Sequence, residues 1–219
     1  MRARITFAVL TLIVAACGAA GETATTTTTD SEPATTVAPE TTTSIAGTTT
    51  SAPAEETTTT TPPVSGARFV LTSISFGDGG MVVITNIGDE AGNLGGHFLC
   101  QLPSYFAIPD VDVPAGGFVA ISTGGSVFQP PPGAITIDEI AAIGTLKPVD
   151  GEVGLYTSAL FGRATDIISY VEWGSSGHGR SSVAVEAGIW SGFVQTTVDS
   201  VTILANTAPP AEAAHWDVG

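Results

Sequence analysis

The sequence predicts an all-β domain over residues 66–219, an antiparallel sandwich or barrel with one short helix, preceded by a disordered Thr-rich linker. Three observations lead there. After Gly66 the apolar residues alternate with a period of two in short runs rich in Val, Ile, Phe and Tyr. Gly, Pro and Asp pairs break these runs at close intervals, as in Phe76-Gly77-Asp78-Gly79-Gly80 and Pro114-Ala115-Gly116-Gly117. Only one stretch carries a helical pattern.

The expected strands, in order, are Arg68 to Phe76, Met81 to Asn86, Gly96 to Gln101, Phe118 to Ser122, Gly151 to Tyr156, Asp166 to Trp173 and Val201 to Ala205, with Tyr105 to Ile108 a weaker case. Thr136-Ile137-Asp138-Glu139 fits a capping box, its acids suit a first helical turn, and Gly144 would end the helix. That helix reads as a crossover, and Pro130-Pro131-Pro132-Gly133 before it as a loop. Ala184 to Trp190 and the closing His215 to Gly219 look like ordered edges of the same unit, with Trp190 and Trp216 filling the core. Cys100 lies in Phe98-Leu99-Cys100-Gln101-Leu102, where Phe98, Cys100 and Leu102 share a face. A small buried hydrophobe is its expected role, and a reactive thiol the alternative.

Charge is unevenly spread. The chain has 219 residues, 43% hydrophobic and 12% charged, with 21 acids against 6 bases. A net charge of -15 argues against nucleic-acid binding, which rests on Lys and Arg, and against attraction to an anionic membrane surface by charge alone. The four bases after residue 65, Arg68, Lys147, Arg163 and Arg180, face 15 of the acids, so the folding domain carries -11.

Residues 1–16 begin with Arg2 and Arg4, run through an apolar stretch from Ile5 to Val14, and end in Val14-Ala15-Ala16 before Cys17. A positive start, a short apolar core and small residues at the end form an export signal, since a membrane span needs about 20 apolar residues. The Val-Ala-Ala-Cys sequence resembles the lipobox of bacterial lipoproteins, whose cysteine receives a diacylglyceryl group and becomes the new N-terminus. The resemblance implies lipidation at Cys17 and anchoring to the outer face of a bacterial membrane, stable because more than one acyl chain is buried. From there to residue 65 the chain is Thr, Pro, Ala and Ser with six acids, no base and no aromatic residue. It has too little apolar surface to offset conformational entropy, so disorder is expected. Such a stalk resembles O-glycosylated tracts. As a bare coil it would span roughly 40 Å.

The order of motifs in the folding part resembles the lamin-tail domain, an immunoglobulin-like β-sandwich. The segments that carry the resemblance are Leu71 to Phe76, Val82-Val83-Ile84-Thr85-Asn86-Ile87-Gly88-Asp89-Glu90, Asn93-Leu94-Gly95-Gly96-His97-Phe98-Leu99, Val113 to Ile121, Gly151 to Tyr156 and Ile168 to Gly174. Ser75 and His97 stand near places where the family has an acid and an aromatic residue, and 123–148 is an insertion.

Chemistry is sparse. His97, His178 and His215 lie far apart with no paired-ligand spacing and read as satisfied surface or loop residues. Gly177-His178-Gly179-Arg180-Ser181-Ser182 matches only the first two glycines of a dinucleotide fingerprint and reads as a loop. Gly174-Ser175-Ser176-Gly177 is not a nucleophile elbow. Asp110-Val111-Asp112 and Asp150-Gly151-Glu152 could offer oxygens to calcium, but solvated acidic loops are the plainer reading. No residue is assigned a catalytic, cofactor or metal role, and no cofactor is expected. The expected function is therefore a non-catalytic binding or adhesion module for a cell-surface protein or polysaccharide. The alternatives are an extracellular hydrolase of a wall polymer, whose carboxylate pair the sequence does not single out, and a structural spacer or assembly subunit.

Overall fold

The computed structural model of the chain describes residues 65–124 and 127–219. The leader at 1–16, the lipidation candidate Cys17 and the Thr-rich tract up to residue 64 lie outside them. Twelve strands form among the described residues: β1 (Phe69–Ser75), β2 (Met81–Asn86), β3 (Gly92–Asn93), β4 (Phe98–Gln101), β5 (Ser104–Ala107), β6 (Asp112–Val113), β7 (Phe118–Ser122), β8 (Ile135–Ile137), β9 (Gly151–Tyr156), β10 (Ile167–Trp173), β11 (Thr202–Ala205) and β12 (Trp216–Val218). A six-stranded sheet in the order β12-β11-β1-β2-β7-β8 packs on a four-stranded sheet, β10-β9-β4-β5, with β3–β6 as a separate ribbon. The fold is an all-β, immunoglobulin-like sandwich.

Period-two alternation explains which residues fill it. Leu71, Ile74, Val82, Ile84, Val119, Ile121 and Ile203 of the larger sheet are wholly buried, as are Leu99, Val153, Leu155, Val171 and Trp173 of the smaller one. Each such side chain contributes about 1.5–3 kcal/mol of transfer free energy. Leu71 and Ile74 are three residues apart yet both buried, because a bulge between Leu71 and Ser73 inserts Thr72 and resets the alternation. Beside that bulge the Leu71 N–H donates to Ser169 Oγ at 3.0 Å and ties the two sheets together. Trp173 packs on Phe76 at 5.3 Å, and its indole N–H donates to the Lys147 carbonyl at 2.8 Å. Gly151 makes room for it, since a Cβ there would lie 2.5 Å from the indole ring.

Asn86, ending β2, is fully buried and joins three segments. Its Oδ1 accepts the N–H groups of Arg68 and Gly88, each at 3.0 Å, and its Nδ2 donates to the carbonyls of Glu90, Val113 and Pro114. A turn residue with this many partners fixes where β1 begins and where the chain between β6 and β7 passes.

Three expectations need correction. The helix expected from Thr136 is absent: Ile135–Ile137 is strand β8, paired parallel with β7 in an otherwise antiparallel set of sheet pairings. The β-branched Ile-Thr-Ile run suits that edge, and the buried residues beyond it, Ala141, Ile143 and Leu146, do not follow a helical period. The α-helix of the described residues is instead α1 (Ser181–Glu186); of the Gly177–Ser182 segment expected to be a loop, 177–180 are loop and Ser181 and Ser182 open this helix. Six residues are too few to show a period, and Arg180 at its N-cap makes no side-chain capping bond. Finally, Leu102 does not share the burial of Cys100, being 45% exposed in the β4–β5 turn. Cys100 is 2% exposed, and Trp190 and Trp216 belong to the core.

Candidate functional site

Polar side chains gather in two places, a sealed cluster on the outer face of the four-stranded sheet and an open cleft lined by both sheets. In the cluster, alternation turns Tyr170 and Glu172 of β10, Glu152, Gly154 and Tyr156 of β9, and Cys100 of β4 away from the opposing sheet. Glu152 and Glu172 are direct cross-strand partners and only 3% and 1% exposed. Facing carboxylates repel, and burying them costs several kcal/mol each unless donors surround them.

The donors come from Tyr170, from the β4–β5 turn and from the segment that covers the sheet. Tyr170 Oη lies 2.8 Å from Glu152 Oε2 and 3.4 Å from Glu172 Oε2. The Arg180 N–H donates to Glu152 Oε2 at 2.8 Å and the Leu102 N–H to Oε1 at 3.4 Å. Glu172 accepts from the His178 N–H at 3.1 Å, Ser181 Oγ at 2.9 Å and the Trp190 indole at 3.3 Å. All four carboxylate oxygens are thereby engaged. The pair pins the segment 178–190, with α1 inside it, onto the sheet. The expectation of a solvated acidic loop therefore fails at Glu152, because its place in β9 points it inward beneath this cover.

Ionisation reflects the burial. It pushes the Tyr170 hydroxyl upward, and the charges and hydrogen bonds of Glu152 and Glu172 add to the rise. Burial likewise raises Tyr156, and its ring lies over Gly154, where a Cβ would come within 2.7 Å. Burial also raises the Cys100 thiol, opposed by the nearby Arg180 guanidinium. The same guanidinium lies 5.9 Å from the centroid of the Phe161 ring, which packs edge-on against Tyr156 at 5.1 Å.

The cleft has a volume of about 500 Å³, within the range of about 300–1,000 Å³ typical of small-molecule sites. Ala67 and Phe69 at the start of β1, Gly92 of β3, Ile167 and Ile168 of β10 and Ile189 after α1 form its apolar walls. A bulge between Ile167 and Ser169 inserts Ile168 and lets two successive isoleucines line it. Gly92 lets β3 approach, since a Cβ there would lie 2.2 Å from that of Ala67. The polar residues along it are Arg68, Asn93, His97 and Thr157. His97 packs edge-on against Phe69 at 5.5 Å, and its Nδ1 lies 3.2 Å from the Leu94 carbonyl, which leaves Nε2 as the ring's remaining polar atom.

The other sequence candidates are dispersed. Asp112 accepts from the Asn93 amide at 2.8 Å, and Asp110 lies against Gly95. Asp150 is 3.2 Å from His178 Nε2 and accepts from Ser175 Oγ, and His215 pairs with Glu212 at 3.3 Å. Among the described residues no three His, Cys, Asp or Glu side chains converge as a metal site requires, and no helix is long and apolar enough to cross a membrane. Sequence reasoning missed both the Glu152–Glu172 pair and the cleft. The available signal was a Glu inside each of two mostly apolar strands. No family model matches the chain, and no curated protein matches it.

Proposed function

We propose that the protein is a non-catalytic binding or adhesion module, anchored by lipid at Cys17 to the outer face of a bacterial membrane and displayed on its Thr-rich stalk. Its partner is a cell-surface protein or polysaccharide, and the contact is made at the cleft. The cleft carries this reading: it joins apolar walls from both sheets to a few polar groups, as small-molecule and side-chain pockets do. The hydrolase alternative draws no support from the Glu152–Glu172 pair, whose oxygens are occupied and covered. In this reading the sandwich is lamin-tail-like. Support comes from the segments bearing the resemblance, which supply β1, β2, β4, β7, β9 and β10 in that order, and from the buried Asn86 that ends β2.

A photo-crosslinking residue at Thr157, on the rim of the cleft, tests the binding role on intact cells. Val198, 71% exposed and not among the residues lining the cleft, serves as the control position. Adducts specific to Thr157 are expected. Identical adducts from both positions, or cleavage of a wall polymer by the purified protein, would overturn the proposal. Labelling with a palmitate analogue that persists in Cys17→Ala would remove the anchor from it.

A further inference from the structure

We infer that the protein pairs with a second copy of itself through the free edge of β5, the two four-stranded sheets joining antiparallel about a two-fold axis at Phe106. The contact uses none of the residues that line the cleft, whose reading stands or falls separately. The sheet edges of the domain are guarded in different ways. β10 has a bulge and a bridge from Trp173 to Val194, while β8 and β12 stop at three residues each, one of them Asp217. Shortness, a charge, a bulge or a covering segment keeps an edge from pairing with another chain. β5 is the edge left open: Ser104 to Ala107 carries no charge, and its ladder with β4 runs without a register shift. Among the described residues no strand lies on its far side.

That edge is self-complementary. The Ile108 N–H donates to the His97 carbonyl at 2.9 Å, and bonded pairs alternate along an antiparallel ladder, so Ser104, Phe106 and Ile108 bond to β4. The N–H and C=O groups of Tyr105 and Ala107 therefore face outward. A two-fold axis at Phe106 sets Tyr105 opposite Ala107 of the second copy, and each such pair exchanges both of its N–H···O=C bonds. Pro103 and Pro109 stand three residues to either side of Phe106, so the same axis places proline opposite proline where the pairing ends. Neither has an N–H to leave unpaired. This symmetry belongs to a strand that meets its own copy, and a foreign strand has no need of it. The side chains agree: Tyr105 is 55% exposed and shares the outer face with exposed Ala107, so each tyrosine lies beside the small alanine of the other copy. The half-buried rings of Phe161 and Phe98 lie 5.4 and 6.4 Å from Tyr105 and extend the apolar contact. Each domain carries -11, so two copies meet best where neither is charged. From Ala91 to Pro109 the chain has no Asp, Glu, Lys or Arg.

The test uses the full chain carrying Cys17→Ala, which keeps acyl chains of the anchor from clustering copies. Sedimentation equilibrium follows its mass from dilute solution up to about 1 mM, the effective concentration that a short tether provides. A reversible monomer–dimer equilibrium that stops at the dimer is expected, because a two-fold contact closes on itself. Tyr105→Lys puts a charge on the edge and should weaken dimerisation about tenfold or more. Ala107→Pro removes an outward N–H that β4 does not use, so it should abolish the dimer while circular dichroism shows the fold intact. Val198→Lys, at a residue 71% exposed outside β4 and β5, should leave the dimer unchanged. Should Ala107→Pro unfold the chain, Tyr105→Lys decides alone. A monomer at every concentration, a mass that grows beyond the dimer, or a dimer that a folded edge variant leaves unmoved overturns the inference. So does a dimer that Val198→Lys weakens as much as Tyr105→Lys.

Discussion

The outer face of the four-stranded sheet and the cleft both set ionisable side chains against apolar ones, and they complete those charges differently. At Glu152 and Glu172 every carboxylate oxygen meets a donor from the chain itself, and the two side chains are almost wholly buried. At the cleft, Arg68 is exposed and no described carboxylate approaches it. An ionisable group whose hydrogen bonding is completed inside the fold holds elements together. One left incomplete beside apolar surface is available to a partner. The contrast matters because an acidic pair in a β-sandwich invites a catalytic reading from its residue types alone, and here the pair is an anchor for α1.

The contrast breaks most visibly at Glu172. Glu172→Ala leaves the Ser181 hydroxyl, the His178 N–H and a Trp190 contact without their acceptor, and should lower unfolding free energy in urea by about 3–5 kcal/mol. A loss below about 1 kcal/mol, the net worth of one ordinary hydrogen bond, would mean the cluster is not the anchor described. Tyr170→Phe removes only the donor shared by the two carboxylates and should cost about 1–2 kcal/mol by the same measurement. In alkali the sign follows from the raised ionisation of Tyr170 and Tyr156. Their neutral forms favour the folded state, so this contribution is complete below the unfolded tyrosine value of about 10 and is lost as pH rises above it. Both tyrosines should therefore ionise only with global unfolding, which ultraviolet difference spectra and circular dichroism would follow together. The smallest effect belongs to the cleft: Arg68→Gln, at an exposed residue with no described ion pair, should leave stability within about 0.5 kcal/mol. A large loss of stability there would place Arg68 with the anchors and remove the contrast.

Much of the sandwich was legible residue by residue. Met81–Asn86, Phe118–Ser122 and Gly151–Tyr156 have the bounds their alternation predicts, because a strand pressed between a core and its neighbours must present apolar residues at every second position. Cys100 likewise proves to be a buried thiol. Short pieces escaped. β3 and β6 have two residues each and α1 six, lengths at which neither period can be counted. Thr136 and Glu139 satisfy a local capping pattern, but pairing with β7 offers Ile135 to Ile137 more burial and hydrogen bonding than an isolated helical turn would.

The site was less legible, for a related reason. Glu152 and Glu172 are 20 residues apart in the chain, and only the β9–β10 register places them opposite each other. The cleft draws Arg68, Gly92, His97, Ile168 and Ile189 from separate segments, and one of its walls depends on a bulge that simple alternation does not show. Composition and periodicity alone determined an acidic all-β domain with one buried cysteine. These properties accumulate over many residues and survive local errors. Tertiary structure alone decided which carboxylates are sealed and which segments meet at the cleft. Hydrogen-bond completion depends on a few ångströms between distant segments, and no local pattern encodes that distance.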